Sequence, residues 1–316
     1  MKFDTELKHT SFLILVKDEI FFSKKLVKYI NSKKVNAEFI IADGSKRKQN
    51  KIFDKLKSKK KYYYFGEDKN TEKFFLKILK GIQRCSKKFI FFCDQDDLVN
   101  FKTIKKHEDF LIKNKNYSAV RGLVYNFTYF NNKVKLLEKT YSNYKDSNIF
   151  LIRHLLNVNF RAYYNLRRKS DLIKIYKLVV KYKLNDFRSV EFINDILTLR
   201  FNRIKSFNKE ISVLRWAGVK KRDAKKGHIT VQNHKTRFDW FKFFFSKYKN
   251  LIIKILNEEI KIFKNFNVFK IYILFVDVFY NFLAKNTNRV INKFKNDKDI
   301  NLEEKLIKLK INKIID

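Results

Sequence analysis

The stretch FIFFCDQDDLV, residues 89–99, decides the fold because an unbroken apolar run ends abruptly in a cluster of acids. Short continuous apolar runs are typical of strands that are buried on both faces, as in parallel sheets. Asp94, Asp96 and Asp97 follow this run in a chain whose formal net charge is +40. Carboxylates this close together repel one another, so the pattern favours either a bound cation or a loop that is open to water.

Similar apolar runs precede this stretch, at SFLILV (11–16), AEFIIADGS (37–45) and KYYYF (61–65). Between these runs lie segments in which apolar residues recur at helical spacing. The segments with this spacing are 19–33, 51–59 and 71–86, the last with Thr71 as its expected N-cap. Strand and helix in alternation predict an α/β fold with a parallel, doubly wound sheet and right-handed crossovers.

Acids follow two of the predicted strands, Asp43 after the second and the Asp94–Asp97 cluster after the fourth. In such sheets ligands bind outside the carboxyl ends of the strands, where both sets of acids fall. Carboxylate oxygens favour hard divalent ions such as Mg²⁺ or Mn²⁺. The alternative is a solvated loop in which Asp96 or Asp97 stabilises the N-terminus of the next helix.

Composition narrows the class of protein. The 316 residues are 45% apolar, which is enough for a substantial core. A pI near 10.0 is compatible with nucleic acid, a membrane surface or an anionic substrate as partner. The lysines are dispersed along the chain, however, and no proline occurs, which is the bias expected from an AT-rich genome. The charge is therefore weak support for a nucleic-acid partner.

The cysteines and the apolar stretches favour a reduced, intracellular protein. Cys85 and Cys93 have no metal-type or redox spacing. The N-terminal apolar run is interrupted by charges before it could serve as a secretory segment. The most apolar later stretch, residues 268–283, contains Lys270 and Asp277, so a membrane span is not expected.

Three of these stretches together, FLILVKDE (12–19), AEFIIADGS (37–45) and FIFFCDQDDLV (89–99), resemble the nucleotide-binding half of family 2 glycosyltransferases with the GT-A fold. The resemblance covers roughly residues 10–216. It implies a GT-A type doubly wound mixed sheet flanked by helices.

The resemblance also implies roles for the acids. Asp43 would contact the base of a sugar nucleotide. Asp94 would contact the ribose and, with Asp96 and the adjacent Asp97, hold a divalent metal, Mn or Mg, that bridges the diphosphate. The donor-nucleotide residues are then Asp43 and Asp94, and the metal ligands are Asp94, Asp96 and Asp97.

The chain departs from the family pattern in two places. KDE (17–19) follows the first strand where the family usually shows Thr or Asn with an Arg. Arg215 and Trp216 are similar to the pair found in processive members, but Ser212 stands where that pattern has glutamine. Processivity is therefore not inferred.

The acceptor side is expected to follow from two further strands, at 117–130 and within 159–176, the second leading through Ser170 into a helix. By the resemblance, Tyr163, Tyr164 and Arg167 would lie near the acceptor pocket. The alternative is that they are aromatics on a half-buried strand with an exposed arginine.

The segment 185–207 has the spacing of an amphipathic helix, with Glu191 and Asp195 four residues apart on one face. In the family, an acid on the corresponding helix is the general base that deprotonates the acceptor hydroxyl. Both residues are candidates for this catalytic role. The alternative is a pair of exposed carboxylates that form weak ion pairs with Arg188 and Arg200.

The remainder of the chain is predicted to hold a cationic loop and then helices. His228 and His234 lie in the loop at 218–237, where either could complete the metal shell or be exposed. We expect a glycosyltransferase domain at 1–237, with a nucleotide-binding half at about 10–100 and an acceptor half at about 101–237. A helical C-terminal extension at 238–316 would pack on the domain or lie in a lipid interface, and packing is favoured.

The predicted function is transfer of a sugar from a nucleotide-diphosphate sugar to a hydroxyl of a glycan, polysaccharide or lipid-linked acceptor, with inversion implied by the resemblance. The predicted location is the cytoplasm, with peripheral association at the inner face of the membrane as an option for the C-terminal helices. The alternatives are a non-catalytic basic nucleic-acid-binding protein, for which no motif is present, and a nucleotidyltransferase, which lacks the expected glycine-rich basic loop. No nucleic acid partner is expected.

Overall fold

The computed structural model describes residues 4–130, 133–140, 162–185, 187–201 and 203–216. The chain separates into two compact units, Met1–Gln232 and Asn233–Asp316, and the described residues belong to the first. His228, His234 and the predicted C-terminal helices lie outside the described residues. Within the described part of the chain, no helix is both long and apolar enough to cross a membrane.

The first half of the fold alternates strands and helices as predicted. Its elements are β1 (Thr5–Val16), α1 (Ile20–Ser32), β2 (Val35–Asp43), α2 (Asn50–Phe53), β3 (Lys60–Tyr64), α3 (Thr71–Arg84) and β4 (Phe89–Asp94). The strands are parallel and lie in the order β3-β2-β1-β4. The apolar runs of β1, β2 and β4 are buried almost throughout, because helices cover both faces of a parallel sheet.

The second half adds antiparallel pairs to the same sheet. Its elements are β5 (Asp97–Val99), α4 (Phe101–Lys113), β6 (Tyr117–Phe130), β7 (Lys133–Thr140), a 3₁₀ turn (Ala162–Tyr164), β8 (Leu166–Arg168), α5 (Lys169–Lys181), α6 (Phe187–Phe201) and β9 (Arg203–Trp216). The order continues from β4 as β8-β6-β9-β5, with β7 paired to β6. The predicted fold class, a mixed α/β sheet flanked by helices, is confirmed.

β8 joins the two halves of the sheet although it has only three residues. It is antiparallel to β4, with Ile90 opposite Arg167, and antiparallel to β6, with Ala119 opposite Arg167. β9 then runs parallel to β6 and antiparallel to β5. The short strand after the acid cluster is thereby brought beside the last described strand.

Aromatic packing under the sheet holds β1 and β2 against α4. The rings of Phe12 and Phe39 are stacked with centroids 5.1 Å apart, and Phe101 meets Phe12 edge-on at 5.2 Å. Burial of each such side chain stabilises the fold by roughly 1.5–3 kcal/mol. On the other face, a Cβ at Gly81 would lie 2.7 Å from Cδ1 of Leu13, so glycine permits the close approach of α3 to the sheet.

Several predicted boundaries are wrong. Thr71 is not the N-cap of α3, because the side chain of Asn70 accepts the hydrogen bond from Lys73 N at 2.9 Å. The hydroxyl of Thr71 donates instead to the carbonyl of Asn185 at 2.6 Å. The helix expected at 51–59 is limited to Asn50–Phe53. The helix expected at 185–207 ends at Phe201, and a strand of 14 residues begins at Arg203.

Candidate functional site

The candidate site lies where β1, β2 and β4 end. The strand register places Val16 opposite Asp43 and Leu15 opposite Asp94, so the residues that follow these strands meet at one edge. Gln95 closes this edge by two hydrogen bonds of 2.9 Å with the backbone of Lys17, one to its N–H and one to its carbonyl. The strand register therefore brings Asp43 to the same edge of the sheet as the acid cluster, as predicted.

The three acids form a compact cluster. Each of Asp94, Asp96 and Asp97 offers a carboxylate oxygen, and these oxygens lie within 4.8 Å of one another. Asp94 and Asp96 are half-buried, while Asp97 is 1% exposed and accepts the backbone N–H of Asp94 at 3.1 Å. Such a cluster in a largely buried position needs compensation by positive charge or by protons.

The alternative interpretation of this cluster as a helix cap is wrong. The N-cap of α4 is Asn100, whose side chain accepts the N–H of Thr103 at 3.3 Å. Asp97 belongs to β5 and Asp96 to the turn before it, so neither residue begins the helix. The cluster is also not a fully solvated loop, because Asp97 is buried.

Burial raises the pKa of each of the three carboxyls. The pKa of Asp96 rises to about 6, first through burial and then through repulsion from Asp94. The pKa of Asp97 is raised well above its usual value by burial and by both neighbouring acids. Arg215, opposite Asp97 in the pairing of β9 with β5, opposes these shifts with its positive charge. The single positive charge of Arg215 therefore compensates only part of the negative charge of the three carboxylates.

The residues present fit a divalent cation. All three are oxygen donors, which suit Mg²⁺ or Mn²⁺. Oδ1 of Asp97 is buried and has no hydrogen-bond partner among the described residues, so it retains a lone pair for a ligand. Two positive charges beside Arg215 would balance the three carboxylates.

Asp43 is fully buried, and both of its carboxylate oxygens are already bonded. Oδ1 accepts the N–H of Ser45 at 2.8 Å, and Oδ2 accepts the N–H of Gln49 at 2.9 Å and the hydroxyl of Tyr62. The residue therefore orders the loop that follows β2. Its predicted contact with a nucleotide base stays a prediction.

A buried ion pair that sequence reasoning missed supports the same loop. Nζ of Lys77 lies 2.5 Å from Oδ2 of Asp68, and the side chains are 1% and 2% exposed. Lys77 also donates to the carbonyl of Val16 at 3.1 Å, where β1 ends. Burial lowers the pKa of Lys77 and raises that of Asp68, while each group favours the charged form of the other. The sequence signal was the position of Lys77 on the apolar face of α3, four residues before the buried Gly81.

The three residues expected on the acceptor side occupy different surroundings. The hydroxyl of Tyr163 donates to Oδ1 of Asp94 at 2.6 Å, so this tyrosine contacts the acid cluster. Tyr164 is 5% exposed, and its pKa is raised well above its usual value by burial and then by Asp97. Arg167 is 1% exposed, so the alternative that it is an exposed arginine is wrong. The acceptor-side roles of Tyr164 and Arg167 stay predictions.

Helix α6 carries both candidate bases and begins near the candidate site. Phe187 packs on Phe74 and Phe75, with ring centroids 5.4 Å apart in both pairs, at the start of α3. Farther along, the carbonyl of Thr198 accepts the hydroxyl of Ser118 at 2.9 Å, where β6 begins. The helix therefore runs from the carboxyl edge of the sheet towards the opposite edge. Glu191 is exposed on its first part, and Asp195 follows about one turn later.

No curated protein sequence matches this chain significantly. Among solved structures, S. aureus TarS is similar with a TM-score of 0.46 and 11% identity, over 79% of this chain and 40% of TarS. S. aureus TarS 1–349 in complex with UDP-GlcNAc is similar with a TM-score of 0.47 and 11% identity, over 79% of this chain and 67% of that one. The chain thus spans 40% of the length of the longer TarS structure.

A sequence match identifies the domain. Residues 24–176, close to half of the chain, match the profile of glycosyl transferase family 2. The matched region contains β2 to β4 and the acid cluster, which build much of the carboxyl edge, and β8, which joins the two halves of the sheet. Residues 24–176 therefore form a domain of glycosyl transferase family 2.

Proposed function

We propose that this protein is a metal-dependent glycosyltransferase that moves a sugar from a nucleotide-diphosphate sugar to a hydroxyl of a glycan, polysaccharide or lipid-linked acceptor, with inversion at the anomeric carbon. The observation that carries the proposal is the group of three carboxylates within 4.8 Å at the end of β4, in a domain of this family. We place the reaction in the cytoplasm, with peripheral contact to the membrane where the acceptor is lipid-linked.

Asp94, Asp96 and Asp97 would hold the metal, Mn or Mg. When bound, the metal supplies Lewis-acid stabilisation of the diphosphate that leaves. The hydrogen bond from Tyr163 orients the carboxylate of Asp94, and Arg215 adds a fixed positive charge on the β9 side. Fixed charges of this kind stabilise the negative charge that develops on a leaving group.

The donor nucleotide would lie over the loops that follow β1 and β2. Asp43 and the buried pair of Lys77 with Asp68 hold these loops in one conformation. We propose that Asp43 contributes to base recognition and Asp94 to ribose recognition. An ordered loop lowers the entropy cost of binding the nucleotide.

The general base would come from α6. Glu191 and Asp195 remain the candidates, and the direction of the helix favours Glu191 because it lies nearer the carboxyl edge. The base accepts the proton of the acceptor hydroxyl as the oxygen attacks the anomeric carbon. The bond from that carbon to the nucleoside diphosphate breaks in the same step, which gives inversion.

A thermal-shift screen of nucleotide sugars, with and without Mn²⁺, tests the proposal. A ligand that binds only the native state raises the melting temperature. We expect stabilisation by nucleotides of one base, and only when the metal is present. Product analysis then separates the reaction classes, because glycosyl transfer releases a nucleoside diphosphate, whereas nucleotidyl transfer releases pyrophosphate. Stabilisation by oligonucleotides with a steep salt dependence, and by no nucleotide sugar, would contradict the proposal.

A further inference from the structure

Arg167 stands at the junction of the two halves of the sheet. In β8 it lies opposite Ile90 of β4 and opposite Ala119 of β6. β4 ends in the acid cluster, and β6 belongs to the second half. The side chain of Arg167 is among the largest that are fully buried, at 1% exposure. A buried guanidinium is costly unless hydrogen bonds satisfy it.

The guanidinium of Arg167 binds two side chains of α6. NH1 donates to Oδ1 of Asn194 at 2.5 Å, and NH2 donates to the hydroxyl of Thr198. Asn194 and Thr198 are four residues apart, so they share one face of the helix. Both are buried, at 2% and 0% exposure. The hydroxyl of Thr198 donates in turn to the carbonyl of Asn194 at 2.6 Å, which ties the two contacts together.

We propose that Arg167 is a positioning residue that fixes the rotation of α6 against β8 and thereby the placement of the acceptor-activating carboxylate. This inference rests on the proposed function. Two contacts about one helical turn apart set both the rotation and the height of a helix. A rotation by one residue, 100°, would turn the face of α6 that carries Glu191 in a different direction. Errors of about 1 Å in such a placement can cost 100-fold in rate.

The shape of the arginine side chain suits this pair of contacts. Its planar fork presents two donors in fixed directions, whereas a lysine has a single ammonium that cannot reach both acceptors in the same geometry. Arg167→Lys therefore keeps the charge and removes the double contact. Thr198→Val keeps the shape of the other partner and removes its hydroxyl.

The neighbouring Arg168 provides a matched control. It is half-buried, and its guanidinium donates to the backbone carbonyls of Tyr117, Leu111 and Asn114 at 2.8, 3.2 and 3.1 Å. These contacts secure the end of α4 to the start of β6. Arg168→Lys thus disturbs an arginine of the same strand without touching the contacts to α6.

The experiment combines hydrogen exchange with steady-state kinetics on the full chain. In Arg167→Lys and in Thr198→Val we expect the amides of α6 to exchange faster, with those of β4 unchanged. With an identified nucleotide sugar we expect kcat to fall by about 10-fold or more, while the KM for the donor stays within about twofold. Arg168→Lys should speed exchange near the end of α4 and leave kcat unchanged.

Unchanged exchange in α6 in both variants would overturn the inference. So would faster exchange in α6 without a fall in kcat, or a loss of donor affinity parallel to the loss of turnover, since either result describes a merely structural arginine. If Arg167→Lys does not fold, Thr198→Val carries the test. If the wild-type protein transfers no sugar from any nucleotide sugar, the proposed function fails, and the exchange of α6 alone then supports or overturns the anchoring role of Arg167.

Discussion

Asp97 and Arg215 are paired residues on neighbouring antiparallel strands, β5 and β9. The arginine lowers the cost of the acid cluster, because its charge opposes the pKa shifts of all three carboxyls. The pKa of Arg215 is itself raised, first by Tyr164 and then by the acids. A strongly basic chain thus concentrates its scarce acids where a cation is fixed beside them.

Asp96→Ala is expected to abolish metal-dependent nucleotide binding and to leave the fold intact. Asp96 is the half-buried member of the cluster that lies in the turn between β4 and β5, and its removal relieves repulsion from Asp94. Thermal shift with nucleotide, with and without Mn²⁺, measures both effects. Asp109→Ala is the control, because this acid pairs with Lys105 on α4 away from the cluster. Unchanged metal dependence in Asp96→Ala would show that the site assignment is wrong.

Asp43→Ala is expected to weaken nucleotide binding more than metal binding, since Asp43 lies on β2 and its carboxylate serves the loop at 44–49. We also expect a loss of stability, because the N–H of Ser45 and the hydroxyl of Tyr62 would lose their acceptor, whereas the N–H of Gln49 would keep the hydroxyl oxygen of Tyr62. Each unsatisfied buried group costs about 1–3 kcal/mol. Titration calorimetry with nucleotide and with Mn²⁺ separately checks the order of the two affinities. An equal loss of both would contradict the placement.

Of the two variants Glu191→Gln and Asp195→Asn, the one that removes the true base is expected to lose turnover by about 100-fold or more, with donor affinity nearly unchanged. Each substitution keeps the size of the side chain and removes the proton acceptor. The other substitution should be mild, because an exposed helix carboxylate contributes under about 1 kcal/mol. Single-turnover transfer at saturating donor distinguishes the two. If both variants keep near-native rates, the helix does not carry the base, and Asp186 and Asp223, which lie outside the described residues, become the next candidates.

His107→Phe is expected to reduce the acid sensitivity of the fold. His107 is buried against Phe207, with ring centroids 5.3 Å apart, and has no hydrogen-bond partner among the described residues. Burial, with a smaller effect of Lys106, lowers its pKa to about 3 from the ordinary 6.5. Below pH 6.5 the imidazole of His107 therefore binds a proton in the unfolded chain but not in the native state. The free energy of unfolding falls as the pH falls towards 3. The full loss is on the order of 5 kcal/mol.

Urea unfolding at pH 7 and pH 5 measures this effect. The difference in the free energy of unfolding between the two pH values should be smaller in His107→Phe than in the wild type. His9→Phe serves as the control, because His9 is only half-buried on β1. Identical pH dependence in His107→Phe and the wild type would rule out His107 as the cause.

The first half of the fold could be predicted because its strands are continuous apolar runs that end at turn residues. β5 could not, since three residues contain no period that distinguishes a strand from a loop. β8 lies within the strand expected at 159–176 and leads into a helix as expected, but its length of three residues and its two neighbours in the sheet were not predicted. The pairing of β5 and β8 depends on Arg215 and Ile90, which are remote in sequence. Asn70 replaced Thr71 as the N-cap because both residue types suit that position and only the backbone geometry decides.

The candidate site was predicted in outline but not in its contacts. The positions of Asp43 and the acid cluster followed from the ends of strands. The compensating groups, Arg215, Tyr163 and Lys77, come from distant segments, and a single sequence does not reveal which distant residues meet. The buried position of Arg167 was missed because arginine is mostly exposed in proteins.

β9 is the last strand of the described chain, yet it lies inside the sheet between β6 and β5. On the ribosome, β1 to β4 can pair through local crossovers as soon as they emerge. Asp97 can pair with Arg215 only after β9 has been synthesised. The nascent chain therefore carries the three acids without their arginine until translation has passed residue 215. A prematurely terminated chain that ends before β9 would expose both this unbalanced cluster and an unpaired edge of β6, which makes such fragments natural targets for chaperones and proteases.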